Sequence, residues 1–274
     1  MKKYIKLIRL DKPTGIFLLF WPCSWGLLLG NINFSNNEIF YHYLFLFFIG
    51  SFLMRSAGCV YNDIIDKKID IKIKRTRTRP IAARIISTTA GWVVIMVFIF
   101  LSLAILLQFN LKSIIFGLSS AFFVILYPFM KRITYWPQLF LGITFNWGVI
   151  LGWLAMGNEI TLLPVILYTS AIFWTLGYDT IYGMQDIQDD IKIGVKSTSI
   201  KFQKKIKLFL SICYLLSFAL FIALLNLMNA SLILIFQITS FKNNEYKKNS
   251  KLFALNNYYG LSIFFILFVT TYNG

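Results

Sequence analysis

FYHYLFLFFIGSFLMRSAGCVYNDIIDKKIDIKIKRTRTRP, residues 40–80, changes character twice. Its first half, Phe40–Val60, is an apolar run broken only by His42, Arg55 and small polar side chains. A helix takes about 20 residues to cross a hydrocarbon core of roughly 30 Å, and this run is that long. It then ends on three aspartates, Asp63, Asp66 and Asp70, and passes into eight basic residues between Lys67 and Arg84. An apolar segment that stops abruptly on acids and then bases reads as a membrane helix emerging at an interface.

Apolar runs of the same kind recur along the whole chain. They cover Thr14–Gly30, Phe40–Val60, Ile85–Leu107, Leu111–Met130, Leu139–Gly157, Leu162–Tyr178, Ile206–Asn226, Leu227–Ser240 and Leu252–Tyr272. With 58% hydrophobic and 14% charged residues, the chain departs from soluble domains, where about a quarter of residues are charged. The expected fold class is all-α: a polytopic membrane protein of about nine helices, forming one domain over residues 1–274 and enclosing a site that opens toward the cytoplasm. The junction of the seventh and eighth runs, near Asn226 and Asn229, is the least sharply marked.

Basic residues test that order of crossings. Of the 27 Lys and Arg, 25 fall in the N-terminal segment and in alternate connections: Lys67–Arg84, Lys131–Arg132, Lys192–Lys207 and Lys242–Lys251. Lys112 lies on the opposite side and Arg55 within the second run. The positive-inside rule assigns the crowded side to the cytoplasm, the N-terminus included. The net charge of +16 is thereby explained by orientation and by contact with membrane lipids and anions, with no nucleic-acid partner implied. Cys23, Cys59 and Cys213 lie in or beside apolar runs without metal-site spacing and read as small buried side chains. No cleavable leader is expected, because the basic start runs into the first apolar segment without a small-residue cleavage site.

The chain has 11 acidic residues, and seven of them sit in two short segments, Asn62–Asp70 and Asp179–Asp190. If the second helix continues, Asp63, Asp66 and Asp70 share a face; Asp179, Tyr182, Asp186 and Asp190 follow a matching spacing, with Asp189 beside Asp186. Stacked carboxylates repel, and a divalent cation relieves the repulsion. Mg²⁺ is the hard cation that prefers carboxylate and phosphate oxygens, so two such faces plus a diphosphate make a chemically coherent site. Arg75, Arg79 and Lys196 lie next to the acids in sequence and suit phosphate recognition. A membrane enzyme acting on a lipid diphosphate is the reading that follows. A carboxylate-gated cation transporter, the rival, would set its ionisable groups near mid-membrane; a lipid-binding scaffold is the other non-enzymatic alternative.

The same residues resemble the UbiA superfamily of intramembrane prenyltransferases, most closely its bacterial 4-hydroxybenzoate branch. The resemblance rests on RLDKPTGIFLLFWPCSWGL (Arg9–Leu27), NDIIDKKIDIKIKRTRTRP (Asn62–Pro80), YPFMKR (Tyr127–Arg132) and DTIYGMQDIQDDIKIGVKST (Asp179–Thr198). It implies Mg²⁺ held by Asp63, Asp66, Asp186 and Asp190. It implies diphosphate contacts from Asn62, Arg75, Arg79, Lys131 and Lys196, with Asp70, Tyr182 and Asn146 in support. Catalytic roles fall to Asp179, which orients the phenolic acceptor, and to Arg132, which recognises its carboxylate. The implied substrates are a polyprenyl diphosphate and 4-hydroxybenzoate, joined at the ring 3-position in ubiquinone synthesis at a bacterial inner membrane. Another aromatic acceptor, such as a menaquinone or haem precursor, is the enzymatic alternative. One departure stands out: after Arg79-Pro80 many relatives continue with Leu and then a Ser-Gly pair, whereas this chain reads Ile81-Ala82-Ala83-Arg84 and lacks the glycine's backbone freedom.

The implied chemistry is electrophilic aromatic substitution through an allylic cation, from which water must be excluded. Aromatic faces can stabilise such a cation; Phe17, Trp21, Phe145, Trp147, Phe173 and Trp174 are candidates to line the chamber. His42, the one histidine, lies toward the opposite interface and offers no acid–base centre. Gly142, Gly148, Gly152 and Ala155 are expected to allow close helix packing.

Overall fold

The computed structural model describes residues 2–31, 37–225 and 251–272. In chain order its helices are α1 (Lys2–Leu7), α2 (Thr14–Asn31), α3 (Asn37–Ile65), α4 (Lys67–Asp70), α5 (Thr88–Leu106), α6 (Leu111–Ile133), α7 (Pro137–Ala155), α8 (Leu162–Gly183), α9 (Ile187–Ile193), α10 (Thr198–Lys201), α11 (Ile206–Leu225) and α12 (Asn256–Tyr272). Among the described residues eight helices are long and apolar enough to cross a membrane. They correspond to eight of the nine expected spans; the remaining one, Leu227–Ser240, lies outside the described residues.

Helix α2 forms the middle of the bundle, packing most extensively on α7 and also on α3 and α12, while α8 joins α7 to α11. In a bilayer helices gain little from hiding apolar surface from lipid, so close backbone approach and interhelical hydrogen bonds hold them together. A Cβ added at Gly152 would meet the Cys23 carbonyl oxygen, and one at Gly26 would collide with the Val149 backbone. Aromatic donors tie α12 in: Trp25 Nε1 donates to Gly260 O at 3.0 Å and Trp174 Nε1 to Asn256 Oδ1 at 2.8 Å. By contrast α5 and α6 present exposed apolar side chains such as Phe100 and Phe122, the surface expected against lipid.

Both acidic segments sit where a long helix breaks. Helix α3 stops at Ile65, and Asp66 turns the chain into the single turn α4. Helix α8 stops at Gly183, and Asp186 opens α9, which a left-handed Gly194 (φ 79°) ends. The continuous helices expected through the two clusters are thus interrupted, and each break re-aims its later aspartates. The loop after α4 turns back at Pro80, where the Ile85 and Ile86 amides donate to Pro80 O at 2.8 and 3.1 Å. Within it Arg84 adopts φ 58°, the left-handed conformation that the missing glycine would take without steric cost.

Candidate active site

The two broken helix ends face one another across a bridge of cations. From the first segment, Asp63 and Asp70 share Arg79, whose Nη1 lies 3.2 Å from Asp63 Oδ1 and 2.9 Å from Asp70 Oδ2. Asp66 receives Lys131 Nζ at 2.5 Å and Arg132 Nη2 at 3.3 Å, both from the end of α6. Asp63, Asp66 and Asp70 are all buried, so each carboxylate needs a charged partner to offset its desolvation.

From the second segment, Asp186 accepts Arg75 Nε at 2.8 Å (Oδ1) and 3.0 Å (Oδ2), with Nη2 also on Oδ2. Arg75 Nη1 donates to the Tyr182 hydroxyl at 3.0 Å, and its guanidinium lies 5.1 Å from that ring's centroid. The loop carrying Arg75 is fastened a second time, by the Lys74 amide to Asp189 Oδ2 at 3.0 Å. Burial works against the charge of Arg79, yet Asp63 and Asp70 outweigh it and leave the guanidinium firmly protonated. Arg75 is likewise held protonated against burial, by Tyr182 and Asp186. Asp190 makes no side-chain hydrogen bond among the described residues. Burial first, and then repulsion from Asp186, push its carboxyl up to about 7, with Lys131 and Arg75 pulling the other way. Lys131 therefore acts on both segments, and the two motifs converge as the sequence pattern implies.

The oxygen-only donors, with no His or Cys among them, suit a hard cation. Among the described residues no three acids, His or Cys already form a closed metal cage.

Other expected residues lie beside these carboxylates or deeper in the bundle. Lys196 Nζ donates to Ile133 O at 3.0 Å and its amide to Lys131 O at 2.9 Å, so it caps α6 beside the site. Arg132 also donates to Ile65 O at 3.0 Å and stays on the rim. Asn62 lies on the last turn of α3, next to Asp63. Asn146 is fully buried and spends its amide on Gly142 O, Ala171 O and Thr175 Oγ1 at 2.7–3.1 Å, joining α7 to α8. Of the aromatic candidates, Trp147 stacks on Phe116 at 4.6 Å, Phe173 packs with Phe209 and Cys213, and Trp174 sits in the helix core. Phe17 and Trp21 pair at 6.2 Å, and the Trp21 Nε1 is buried with no partner.

Deeper in the bundle, sequence reasoning left Arg55 without a role. Its guanidinium lies over the Phe145 ring at 5.2 Å, and its Nε is buried without a hydrogen-bond partner. Gly15 makes the room: a Cβ there would come within 2.5 Å of that nitrogen. Arg55 acts electrostatically on Asp179, Tyr127 and Tyr178, so a cation, a carboxylate and two phenols lie near one another deeper in the bundle than the acidic motifs. Asp179 makes no side-chain hydrogen bond among the described residues. The one available signal for Arg55 was its position, since a charge inside an apolar span is costly and marks function more often than packing.

The profile of the UbiA prenyltransferase family matches residues 19–269, nearly the whole chain. This chain belongs to that family. Among curated UbiA relatives, 4-hydroxybenzoate polyprenyltransferase, mitochondrial, of Drosophila pseudoobscura pseudoobscura is 47% identical over 211 residues, covering 77% of this chain and 53% of the relative. Its Homo sapiens counterpart is 46% identical over 214 residues, covering 77% and 57%. The chain thus spans about half the length of the curated relatives it matches. These relatives are mitochondrial by name and lend no support to the expected bacterial membrane. Among solved structures, the apo UbiA homolog from Aeropyrum pernix K1 superposes with a TM-score of 0.77 at 23% identity, covering 93% of this chain and 97% of the other. The Archaeoglobus fulgidus UbiA homolog bound to GPP and Mg²⁺ gives 0.69 at 18% identity, covering 96% and 99%. At those identities the structures establish a shared UbiA fold. The chain is an integral membrane protein of that fold.

Proposed function

We propose that this protein transfers a polyprenyl group from a polyprenyl diphosphate to the 3-position of 4-hydroxybenzoate, releasing diphosphate; its curated relatives are named for polyprenyl transfer to 4-hydroxybenzoate. The observation that carries the proposal is the convergence of two carboxylate segments, bridged by Arg75 and Lys131, with Arg55 and Asp179 further along the same two helices. Polar chemistry at the interface suits the diphosphate, and the bundle beneath suits an apolar tail.

Asp63, Asp66, Asp186 and Asp190 would hold the metal, which when bound would supply positive charge against the leaving diphosphate. Arg75 and Arg79, kept protonated by their carboxylates, donate to the diphosphate oxygens as negative charge builds there. Arg75 also pins its loop to Asp186 and Tyr182, covering the cation formed at C1 and keeping water away. Asp179 accepts a hydrogen bond from the acceptor's phenol, which raises electron density at the ortho carbon. Arg55, rather than the rim residue Arg132, receives the acceptor's carboxylate, because its buried Nε has no protein partner. The ortho proton passes to the released diphosphate after the new carbon–carbon bond forms, restoring aromaticity. The distribution of Lys and Arg supports an orientation in which the N-terminus and both acidic segments face the cytoplasm of a bacterial inner membrane, or the equivalent matrix side.

Purified protein in lipid vesicles is expected to form the 3-polyprenyl product, identified by mass, when given both substrates and Mg²⁺, and to lose the activity on chelation. Asp63→Ala, Asp66→Ala and Asp186→Ala should each abolish turnover while the protein still inserts into membranes. Product formation unaffected by chelator, or by Asp66→Ala with Asp186→Ala combined, overturns the proposal. Side-by-side acceptors distinguish 4-hydroxybenzoate from other aromatic rings.

A further inference from the structure

The N-terminal segment reaches the first acidic motif through a side chain with no place in the chemistry above. Leu7 at the end of α1 is fully buried with Val60, Ile81, Ile86 and Ile95, and Ser56 donates to Ile8 O at 3.2 Å. Beyond that anchor Arg9 adopts φ 59°, and the Leu10 amide returns to Ile5 O at 3.0 Å. A left-handed backbone carries a steric cost for any residue with a Cβ, so the turn is maintained by something outside itself.

The side chain supplies a reason. Arg9 Nη2 donates to both oxygens of Asp63, at 2.8 Å to Oδ1 and 2.9 Å to Oδ2, and Nη1 donates to Lys6 O at 2.8 Å. Asp63 is 1% exposed, and Arg79 approaches the same Oδ1. Both oxygens of a motif carboxylate are therefore engaged by an arginine from a different part of the chain. A cation approaching Asp63 through Oδ2, which accepts from Arg9 alone, would compete with that contact. A guanidinium has five N–H donors and remains charged throughout, so the displaced donor stays beside Arg79, at the place where negative charge arrives.

We propose that Arg9 is a positioning residue of the diphosphate site. It fixes the Asp63 carboxylate from the N-terminal segment and, when Asp63 turns to a divalent cation, donates instead to the diphosphate alongside Arg75 and Arg79. The proposal deepens the reading of Asp63 as a cation ligand and rests on it. It also couples the α1 segment to the loading of the site, because the anchor at Leu7 and the clamp at Arg9 are one short stretch of chain.

Arg9→Gly is the informative variant, since glycine holds the left-handed turn without strain and removes only the guanidinium. The full chain in lipid nanodiscs is assayed three ways: binding of Mn²⁺ by electron paramagnetic resonance, binding of a non-reactive prenyl thiodiphosphate, and thermal stability. Arg9→Gly should weaken thiodiphosphate binding and raise the KM for polyprenyl diphosphate by about tenfold, the loss typical of one charge-assisted contact. The KM for the acceptor and the melting temperature should hold, and Arg9→Lys should recover part of the loss. Unchanged thiodiphosphate binding, an equal rise in both KM values, or a loss that tracks a fall in melting temperature overturns the proposal. Asp63→Ala separates the two layers. If Mn²⁺ still binds normally to that variant, the reading of Asp63 fails; if Mn²⁺ binding is lost there while Arg9→Gly binds thiodiphosphate normally, only the role of Arg9 falls.

Discussion

Replacing Arg55 by Met separates recognition from folding, because the two are expected to move apart. The guanidinium is held inside a membrane span by the face of Phe145 and the field of Asp179, and its Nε finds no hydrogen-bond acceptor. Methionine fills similar length without charge, and exchanging a buried charge for an apolar side chain is often neutral or stabilising. Thermal stability should therefore hold or rise. Acceptor binding should suffer, since the acceptor's carboxylate loses a charge-assisted contact of about 1.5–3 kcal/mol. At 1.4 kcal/mol per factor of ten, the KM for 4-hydroxybenzoate should rise roughly 10- to 150-fold. The KM for polyprenyl diphosphate should stay within about twofold, because its site lies on Arg75 and Arg79. Initial-rate kinetics in vesicles with radiolabelled acceptor give both constants. A phenol lacking the carboxylate completes the cycle: it should be a poor acceptor for the parent protein, and Arg55→Met should make it no poorer. The reasoning is refuted if the penalty persists for that phenol, or if both KM values climb together.

Gly15→Ala applies the same logic from α2. The added Cβ falls within 2.5 Å of the Arg55 Nε, so the guanidinium must shift; acceptor KM should increase severalfold, with the kinetics above as the check. Arg75→Ala removes the loop's grip on Asp186 and Tyr182. It should both slow transfer and raise the fraction of prenyl diphosphate lost to water, measured as free diphosphate released per mole of product. Cation binding should depend on pH through Asp190, whose carboxyl is raised from 3.8 to about 7 by burial and by Asp186. The folded protein holds that proton more tightly than the unfolded chain does, so this group's contribution to metal-free stability declines as pH climbs from about 4 to 7. Cation affinity should rise over the same range and level off above about pH 7, and Asp190→Asn should flatten both profiles in Mn²⁺ titrations and melting curves. Arg84→Gly relieves a left-handed arginine and should add up to about 1 kcal/mol of stability, read as a higher melting temperature with unchanged KM values.

Local signals carried much of the site into view. Asp63, Asp66, Asp186 and Arg75 stand in dense motifs whose residue types already imply a cation and a phosphate, and the structure brings the two motifs face to face. Three residues show where local reading stopped. Lys196 lies near the second motif in sequence, yet its ammonium caps the carbonyl end of α6. Asn146 commits its amide nitrogen to joining α7 to α8, while its buried Oδ1 has no hydrogen-bond partner. Arg9 lies 54 residues from Asp63 along the chain and still grips it. In each case the side chain's partner is chosen by how helices pack, which a single sequence does not display.

Composition and pattern alone determined that this is a helical membrane protein with its acids and bases gathered at one end of the bundle. Apolar runs of membrane-spanning length leave a backbone no other way to satisfy its hydrogen bonds in hydrocarbon, and charge is too costly there to be placed freely. Tertiary structure alone decided which cation meets which carboxylate. Only there do the breaks after Ile65 and Gly183 turn the aspartates toward each other, and only there does Gly15 leave room for the Arg55 guanidinium, whose charge reaches Asp179. Spacing along a chain sets which side chains share a helix face; contacts between helices depend on distances and angles that no local pattern specifies.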